Sequence, residues 1–346
     1  MKFKVALIPG DGIGPEQINA SRSILRILPE LYGFDVEYLE VEAGDGCKAK
    51  RGVALPDETL DVLKESHACL KGPVGETAAE VIVRIRQMFD LYANVRPIKS
   101  YPTPIPPLKG DVDFVIVREN TEDVYRGLEF KPTPDIAVCF RIISRKACER
   151  IVKYGFNLAR RRRKKVTVVH KSNVMKISDG LFAEVSRSIA REYPDVSFEE
   201  MYVDAAAYHI VMNPKRFDVL VTTNMFGDIL SDEAAALTGS LGLAPSANIG
   251  EAFALFEPVH GCAPDIAGKG IANPCSLILS ASMMFIWLGE RYGVEEAMKA
   301  GTVLEKAVIQ ALNEGFATPD IGGRYTTGEV AEAIASKLRG VCEFEC

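Results

Sequence analysis

Short apolar segments alternate along this chain with longer segments whose apolar residues recur at helical spacing. Residues 2–9 (KFKVALIP) form an apolar run that ends in Pro-Gly, and residues 16–31 follow with Ile18, Ile24, Leu25 and Leu28 on one helical face. The same pattern predicts further strands at residues 36–41, 68–70, 114–117, 166–169, 198–203 and 219–222. Because helices that alternate with strands connect neighbouring parallel strands, the sequence predicts an α/β fold with a largely parallel sheet.

The charge balance limits the partners that this chain can have. A chain of 346 residues is long enough for about two domains. Its 41 Lys and Arg residues are outnumbered by 47 Asp and Glu, for a net charge of −6, which argues against a nucleic-acid-binding protein. The basic run RRRRKK at 160–165 has no interleaved aromatic or glycine residues, so we expect a solvated helix end there.

No segment has the pattern of a membrane span. The longest apolar stretch, residues 276–288 (SLILSASMMFIWL), contains three serines and is shorter than the ~20 residues that a membrane helix needs. We therefore expect a buried helix there. The apolar run at the N-terminus is too short for a signal peptide, so we expect a cytoplasmic protein.

The eight cysteines are expected to be free thiols. No two of them stand as C-x-x-C, so the spacing does not support a zinc site or a thioredoxin-like motif. Disulfides are rare inside cells. Whether the C-terminal pair, Cys342 and Cys346, is bridged stays open.

The segment GDGIGPE at 10–16 joins the first strand to the first helix but departs from the dinucleotide-binding fingerprint. Pro15 occupies the position where G-x-G-x-x-G requires its third glycine. No acidic residue stands at a strand end about 20 residues later. We interpret the segment as a tight turn before a helix, and a Rossmann cofactor site is not expected.

Two aspartates, Asp228 and Asp232, are four residues apart in a predicted helix. Both carboxylates then project from one face, where they repel unless a cation lies between them. Oxygen ligands of this kind suit Mg²⁺ or Mn²⁺, although an acidic first helical turn explains the pair equally well. Asp204 follows a predicted strand and is either a third ligand or a helix N-cap.

Three arginines, Arg86, Arg96 and Arg118, lie in otherwise apolar surroundings. A guanidinium at a strand end needs an anionic partner, and bidentate pairing with a carboxylate suits its geometry. Each arginine alone could belong to a structural salt bridge, but three together suggest a substrate with several carboxylates. His260 lies in the non-periodic segment 256–274, whose Gly, Pro, Asp and Asn content is typical of a binding loop.

These segments together resemble one enzyme family. The chain resembles the β-decarboxylating dehydrogenases, which act on isopropylmalate, isocitrate or homoisocitrate, in segments that follow the family's order along the chain. They are GDGIGPE (10–16), DLYANVRP (90–97), VRENTEDVY (117–125), HKSNVMKISDGLF (170–182), NMFGDILSDEAA (224–235), GLAPSANIG (242–250) and FEPVHGCAPDIAGKGIANP (256–274). The resemblance implies a two-domain isopropylmalate dehydrogenase-like α/β fold, not a Rossmann fold. It assigns residues 1–97 and 239–346 to a large cofactor-binding domain and 98–238 to a small domain with the dimer interface.

The resemblance also implies roles for residues at the matching positions. Arg86, Arg96 and Arg118 would bind the carboxylates of the malate group. Asp228 and Asp232 would hold the divalent metal in one subunit, while Asp204 and Lys171 would come from the partner of a homodimer or tetramer. Lys171 would accept the proton of the 2-hydroxyl group, and Tyr125 would protonate the enol after CO₂ leaves. A catalytically silent relative would lack some of these residues, and all of them are present.

The same resemblance implies NAD as the cofactor. It places the cofactor site at Glu257, His260, Gly261, Ala263, Asp265, Ile266 and Asn273. An aspartate at position 265 would accept hydrogen bonds from the adenosine ribose and repel a 2′-phosphate. Enzymes of the family that use NADP have Lys-Tyr where this chain has Asp265 and Ile266.

Substrate choice depends on the residues before Arg86. The Ser-x-Asn pair of isocitrate enzymes corresponds to Glu80 and Ile82, and the distinguishing arginine of homoisocitrate enzymes corresponds to Val83. Isopropylmalate enzymes have two leucines where this chain has Ile82 and Val83. An apolar wall suits an isopropyl group, which implies 3-isopropylmalate and leucine biosynthesis. Homoisocitrate and isocitrate are the alternatives, since Arg84 is close enough to bind a distal carboxylate.

Overall fold

The computed structural model describes residues 2–345, and side chains from residue 2 to residue 340. Within this range the strands are β1 (Lys2–Ile8), β2 (Asp35–Glu40), β3 (Ala68–Lys71), β4 (Ala93–Lys99), β5 (Asp113–Glu119), β6 (Glu129–Thr133), β7 (Ile136–Cys139), β8 (Lys165–His170), β9 (Ser197–Tyr202), β10 (Val219–Thr222), β11 (Pro245–Ile249) and β12 (Ala254–Pro258). The α-helices are α1 (Gly14–Tyr32), α2 (Asp45–Arg51), α3 (Asp57–Glu65), α4 (Arg84–Met88), α5 (Arg145–Arg160), α6 (Ser178–Ala190), α7 (Val203–Met212), α8 (Asn224–Leu237), α9 (Cys275–Tyr292), α10 (Glu295–Asn313) and α11 (Thr327–Glu345).

Ten of these strands form one sheet in the order β2-β1-β3-β12-β11-β4-β5-β10-β8-β9. Both outer parts of the sheet are parallel, while β12, β11, β4 and β5 in the centre pair antiparallel to one another. The predicted α/β architecture and all seven predicted strands are confirmed. The central strands β4, β11 and β12 were not predicted, because Asn, Arg, Ser and Glu side chains interrupt their apolar pattern.

The two faces of the sheet are covered differently. One face carries a continuous apolar core built with α1, α5, α6, α9, α10 and α11. The other face carries two separate cores, one beside β1 and β3 and one under α7 and α8. Strands β11 and β4 cross the interval between these two cores, and their side chains on this face are polar. The cleft described below lies in this interval.

The apolar stretch 276–288 forms most of α9, which is buried in the main core as predicted. Among the helices of residues 2–345, none has an apolar segment long enough to cross a bilayer. The cysteines with described side chains are all free, as expected. The C-terminal pair falls outside this range, since Cys346 and the side chain of Cys342 are not among the described parts of the chain.

The basic run at 160–165 forms the solvent-exposed end of α5 that the sequence predicts, and most of its side chains also form ion pairs. Arg160 binds Asp195, Arg161 binds Glu290, and Arg162 binds Asp113 and Asp218. Arg163 and Lys165 are paired in the same way. The run therefore ties the end of α5 to neighbouring elements through ion pairs, which leaves little free positive charge for a nucleic acid.

The segment between β5 and α5 contains a hairpin that the sequence did not predict. Strands β6 and β7 pair only with each other, and their side chains are almost all exposed. The division of the chain into residues 1–97 with 239–346 and 98–238 stays a prediction. Its first boundary falls within β4, which pairs with β5 in the continuous sheet.

Candidate active site

Three buried arginines converge on the interval between the two smaller cores. Arg86 lies on α4, Arg96 on β4 and Arg118 at the end of β5, and each is less than a tenth exposed. Since alternate residues of a strand face opposite sides of the sheet, Arg96 points into the cleft while Val95 packs in the main core. The predicted cluster of guanidinium groups is therefore present at one place.

Asparagine and serine side chains hold these guanidinium groups in position. Asn248 accepts from Arg86 Nε at 2.9 Å, Asn94 accepts from Arg96 Nε at 2.7 Å, and Asn224 accepts from Arg118 Nε at 2.8 Å. Ser231 on α8 accepts a further hydrogen bond from Arg96 Nη1 at 2.6 Å. These neutral partners orient the arginines, and the negative charge beside the cluster comes from Glu257, Asp228 and Asp232.

Burial lowers the pKa of two arginines of this cluster. Desolvation, together with the positive charge of Arg96, lowers the pKa of Arg118 to about 9. Desolvation also lowers the pKa of Arg96. Both groups keep their charge at neutral pH, and a bound carboxylate would relieve the repulsion between them.

The predicted acidic pair contacts this cluster from one side. Asp228 and Asp232 lie on successive turns of α8, and Arg96 is 3.3 Å from Oδ1 of Asp228 and 3.2 Å from Oδ1 of Asp232. Arg118 and the hydroxyl group of Tyr125 both donate to Asp228. Burial raises the pKa of Asp232, whereas Arg118 and Arg96 outweigh burial and lower the pKa of Asp228.

Lys171 and Asp204, the predicted proton acceptor and third metal ligand, pair with each other in this chain. Lys171 follows β8 and its Nζ is 2.5 Å from Oδ1 of Asp204, which lies in the first turn of α7. The Asp204 side chain is 67% exposed. Within the described part of the chain, no three Asp, Glu, His or Cys side chains converge where they could hold a metal ion. Asp228 and Asp232 present hard oxygen donors, but among the described residues they do not by themselves form a complete metal site.

The turn 10–14 packs against the backbone of Pro73 and Cys262. A Cβ atom on Gly10 would lie 2.1 Å from the Pro73 carbonyl oxygen, and one on Gly12 would lie 1.9 Å from that of Cys262. The Asp11 carboxylate accepts hydrogen bonds from backbone amides of the neighbouring loops, at residues Asp45, Gly46 and Gly75. This close backbone approach explains the glycines without a bound dinucleotide.

Helix α1 then holds the loop 256–274. Glu16 accepts from the backbone amides of Gly270 and Ala272 at 3.2 and 3.1 Å. Gln17 Nε2 donates to the Asn273 carbonyl oxygen at 2.7 Å and lies 3.1 Å from His260 Nε2. Burial lowers the pKa of His260, and a neutral imidazole with its proton on Nδ1 satisfies these contacts.

A cleft of about 180 Å³ brings part of the predicted cofactor site next to the arginines. Its walls include Ile82, Arg86, Glu257, His260 and Gly261. The side chain of Asn273 instead donates to Asp320 at 3.1 Å. Ala263, Asp265 and Ile266 follow on the same loop but do not line this cleft. Ala263 has a φ of 39°, and Asp265 is exposed.

One part of the cleft wall is apolar. Ile82 lines the cleft together with Val74 and Ala78, two residues that the sequence analysis missed. Val83 is half-buried and does not line the cleft. Because two residues along a helix rotate the side chain by about half a turn, Arg84 points away from the face that carries Ile82 and Arg86. Arg84 is accordingly exposed.

Lys71, the last residue of β3, is a further residue that the sequence did not predict as part of the site. Its side chain is 2% exposed and its Nζ lies 2.8 Å from Glu257 Oε2. Arg86 approaches the other oxygen of Glu257 at 3.1 Å. The position of a lysine at the end of a wholly buried strand indicates a buried ion pair, because a buried charge requires a partner.

Glu257→Gln is expected to destabilise the protein by about 3 kcal/mol at pH 7, because Lys71 and Arg86 lose their buried counter-charge. Burial raises the pKa of Glu257, but these two cations outweigh it and lower the pKa from 4.5 to about 2. The stabilisation is therefore complete above about pH 5 and is lost as the pH falls towards 2. Denaturant unfolding of the wild type and of Glu257→Gln at several pH values measures this difference in the free energy of unfolding.

The surface pair of Arg161 and Glu290 provides a matched control for this variant. Both side chains are about half exposed, so Glu290→Gln should change the free energy of unfolding by less than about 1 kcal/mol. A difference between wild type and Glu257→Gln that stays constant from pH 7 to pH 2 would contradict the assigned charge pairing.

Comparisons with known proteins agree with this geometry. A sequence model of the isocitrate/isopropylmalate dehydrogenase family matches residues 4–334. A 3-isopropylmalate dehydrogenase of Sulfurisphaera tokodaii is 54% identical over 98% of this chain and 100% of its own length. An isocitrate/homoisocitrate dehydrogenase of Thermus thermophilus is 46% identical over 99% and 100%. The crystal structure of isocitrate dehydrogenase from Methylococcus capsulatus superposes with a TM-score of 0.90 at 45% identity, covering 97% of this chain and 99% of that one.

Proposed function

We propose that this chain, which belongs to the isocitrate/isopropylmalate dehydrogenase family and is therefore a β-decarboxylating dehydrogenase, oxidises and decarboxylates (2R,3S)-3-isopropylmalate. The product is 4-methyl-2-oxopentanoate, and the reaction belongs to leucine biosynthesis. The family's chemistry requires a nicotinamide cofactor and a divalent metal ion. We propose NAD for the first and Mg²⁺ or Mn²⁺ for the second.

The observation that carries this proposal is an apolar wall beside the buried arginines. Val74, Ala78 and Ile82 line the same cleft as Arg86, Arg96 and Glu257. Arg86 and Arg96 supply positive charge for the two carboxylates of a malate group. A third carboxylate against the apolar wall would be buried without a counter-charge, which disfavours a tricarboxylate substrate. The name of the relative from Sulfurisphaera tokodaii supports the same substrate.

Different residues are proposed to bind the substrate and to transfer protons. Arg86, Arg96 and Arg118 orient the substrate, and the ε-amino group of Lys171 accepts the proton of the 2-hydroxyl group. Tyr125 returns a proton to C3 of the enol after CO₂ has left. Asp228 and Asp232 would help to hold the metal ion, which would supply Lewis-acid polarisation of the C2 oxygen, and the nicotinamide cofactor would supply the hydride acceptor. The hydrogen bond from Tyr125 to Asp228 keeps this phenol beside the carboxylate proposed as a metal ligand.

A homodimer would complete the site. Asp228 and Asp232 lie on α8 and Asp204 on α7, and both helices expose apolar side chains next to them. Tyr208 and Met212 on α7 and Ile229 on α8 are each more than half exposed. A second copy packed on these helices would bury them and could bring Asp204 and Lys171 to the acidic pair. An isolated hairpin such as β6–β7 is also marginally stable in water, so contact with a partner would stabilise it.

NAD is the proposed cofactor because of the loop that carries His260 and Asp265. The exposed Asp265 carboxylate would accept hydrogen bonds from the adenosine ribose and would repel the 2′-phosphate of NADP. A cytoplasmic location stays a prediction.

Isocitrate or homoisocitrate is the second candidate substrate. Arg84 makes no ion pair with any described residue and lies two positions from the cleft-lining Ile82 and Arg86. A rotation of the α4 segment would turn its guanidinium group towards a distal carboxylate. The name of the relative from Thermus thermophilus includes both of these substrates.

The decisive experiment measures reduction of NAD and of NADP with Mg²⁺ and each of the three substrates. We expect kcat/KM for 3-isopropylmalate to exceed that for either tricarboxylate by about tenfold or more, and NAD to be preferred over NADP. A preference for isocitrate or homoisocitrate would overturn the substrate assignment and leave the family chemistry standing. In that case Arg84→Gln is the variant to compare, since it should lower kcat/KM only for a substrate with a distal carboxylate.

A further inference from the structure

Arg141 lies at the base of the β6–β7 hairpin and binds two buried carboxylates. Its Nε is 2.8 Å from Asp123 Oδ1, its Nη2 is 3.3 Å from Asp123 Oδ2, and its Nη1 donates to Asp179. Both aspartate side chains are fully buried and the Arg141 side chain is 12% exposed. Nη2 also donates to Thr223 Oγ1 at 2.7 Å, just before α8. None of these residues touches the arginine cluster of the cleft.

The Asp123 end of this network holds the segment that carries Tyr125. Asp123 has φ 69° and ψ −151°, a conformation that is essentially restricted to glycine and persists only where surrounding contacts enforce it. Its carboxylate accepts from Arg141 and from the backbone amides of Val124 and Met225, at 2.9 and 3.2 Å. The strained residue thus fixes both the start of the Tyr125 turn and the start of α8.

The Asp179 end holds the segment that carries Lys171. Asp179 lies on α6, and its Oδ2 accepts a hydrogen bond from the backbone amide of Lys171 at 2.6 Å. Its Oδ1 accepts from Arg141. The position of the Lys171 backbone therefore depends on a carboxylate whose orientation Arg141 sets.

We propose that Arg141 is a positioning residue for both proton-transfer groups, Tyr125 and Lys171. This inference rests on the proposed function for the roles of those two groups. One planar guanidinium group, with donors in a rigid fork, fixes the two carboxylates relative to each other. Because Lys171 is proposed to act in the partner's site, each Arg141 would then support one residue in each of the two active sites of a dimer.

Arg141→Lys tests this proposal, since lysine keeps the charge but cannot bridge two carboxylates as a planar fork does. We expect kcat to fall about thirtyfold or more, because small displacements of reacting groups are costly. KM for the substrate should stay within about threefold, since the arginine cluster is untouched. A kcat per folded enzyme equal to that of wild type would overturn the proposal.

Arg145→Gln is the matched control. Arg145 also bridges to α6, but its pair with Glu184 is exposed and lies outside the network. We expect unchanged kcat and KM for this variant. Thermal unfolding of both variants reports the folded fraction, so that a loss of folded protein is not mistaken for a loss of kcat.

Hydrogen–deuterium exchange tests the geometry without any substrate, and so separately from the proposed function. Arg141→Lys should speed amide exchange in both residues 123–126 and residues 170–175, whereas Arg145→Gln should change neither. Faster exchange in only one of the two segments, or in neither, would overturn the proposal even if the enzyme were active. Failure of wild type to oxidise any of the three substrates would instead overturn the proposed function.

Discussion

Replacing Lys171 by methionine is expected to lower kcat by about a thousandfold, because the variant has no amino group to accept the 2-hydroxyl proton. Stability should change little, since Asp204, the ion-pair partner of Lys171, is 67% exposed. Steady-state rates with 3-isopropylmalate, with thermal unfolding as a companion measurement, give both quantities. Lys176→Met, an exposed lysine in the same segment, should leave kcat unchanged.

Mixing this variant with Asp228→Asn tests whether the active sites are shared between subunits. Half of randomly reassociated dimers are hybrids, and each hybrid contains one complete site if Lys171 acts in the partner's site. Activity should therefore recover to about a quarter of the wild-type value after mixing and subunit exchange. Lack of recovery, with hybrids demonstrated by mass, would show that Lys171 and Asp228 serve the same chain's site.

Arg118→Lys is expected to lower kcat/KM by about a thousandfold. Arg118 is almost completely buried and bridges Asn224 and Asp228, so a bound carboxylate would meet its guanidinium group away from water. Loss of one partner in such a buried charge contact costs about 4 kcal/mol, which corresponds to that factor. Lysine preserves the charge but cannot contact Asn224, Asp228 and a substrate carboxylate together.

Arg162→Lys controls for the general effect of replacing a partly buried arginine. Arg162 also bridges two acidic residues, Asp113 and Asp218, but lies outside the cleft. We expect unchanged kcat/KM for this variant. If Arg118→Lys lowered stability but left the KM for 3-isopropylmalate unaffected, its role would be structural and the assignment as a substrate-binding residue would fail.

Three of the strands that the sequence predicted have apolar side chains on both faces. Strands β5, β8 and β10 read as continuous apolar runs and pack on both sides of the sheet. Strands β4, β11 and β12 lie in the same sheet but turn Asn94, Asn248 and Glu257 towards the cleft. Their apolar pattern is absent because one face serves the site, so periodicity could not detect them.

The site residues divide in a similar way. The spacing of Asp228 and Asp232 predicted that both carboxylates share one helix face, and α8 places them so. The partner of Glu257 could not be predicted, since Lys71 is distant in sequence and becomes its neighbour only when β3 pairs with β12. The same holds for Arg141, which contacts Asp123 and Asp179 only after the hairpin has returned the chain.

The sequence by itself determined the α/β class, the buried α9, and the residue types that the family's chemistry requires, because periodicity and motif spacing are local properties of a chain. The tertiary structure alone decided where those residues meet. Pairing in the sheet opened the interval between two apolar cores, and the helix rotation at α4 put Ile82 and Arg86 in the cleft with Arg84 outside it. The charged networks around Glu257 and Arg141 likewise arise from contacts between residues far apart in sequence, which only the burial of the connecting elements brings within hydrogen-bonding distance.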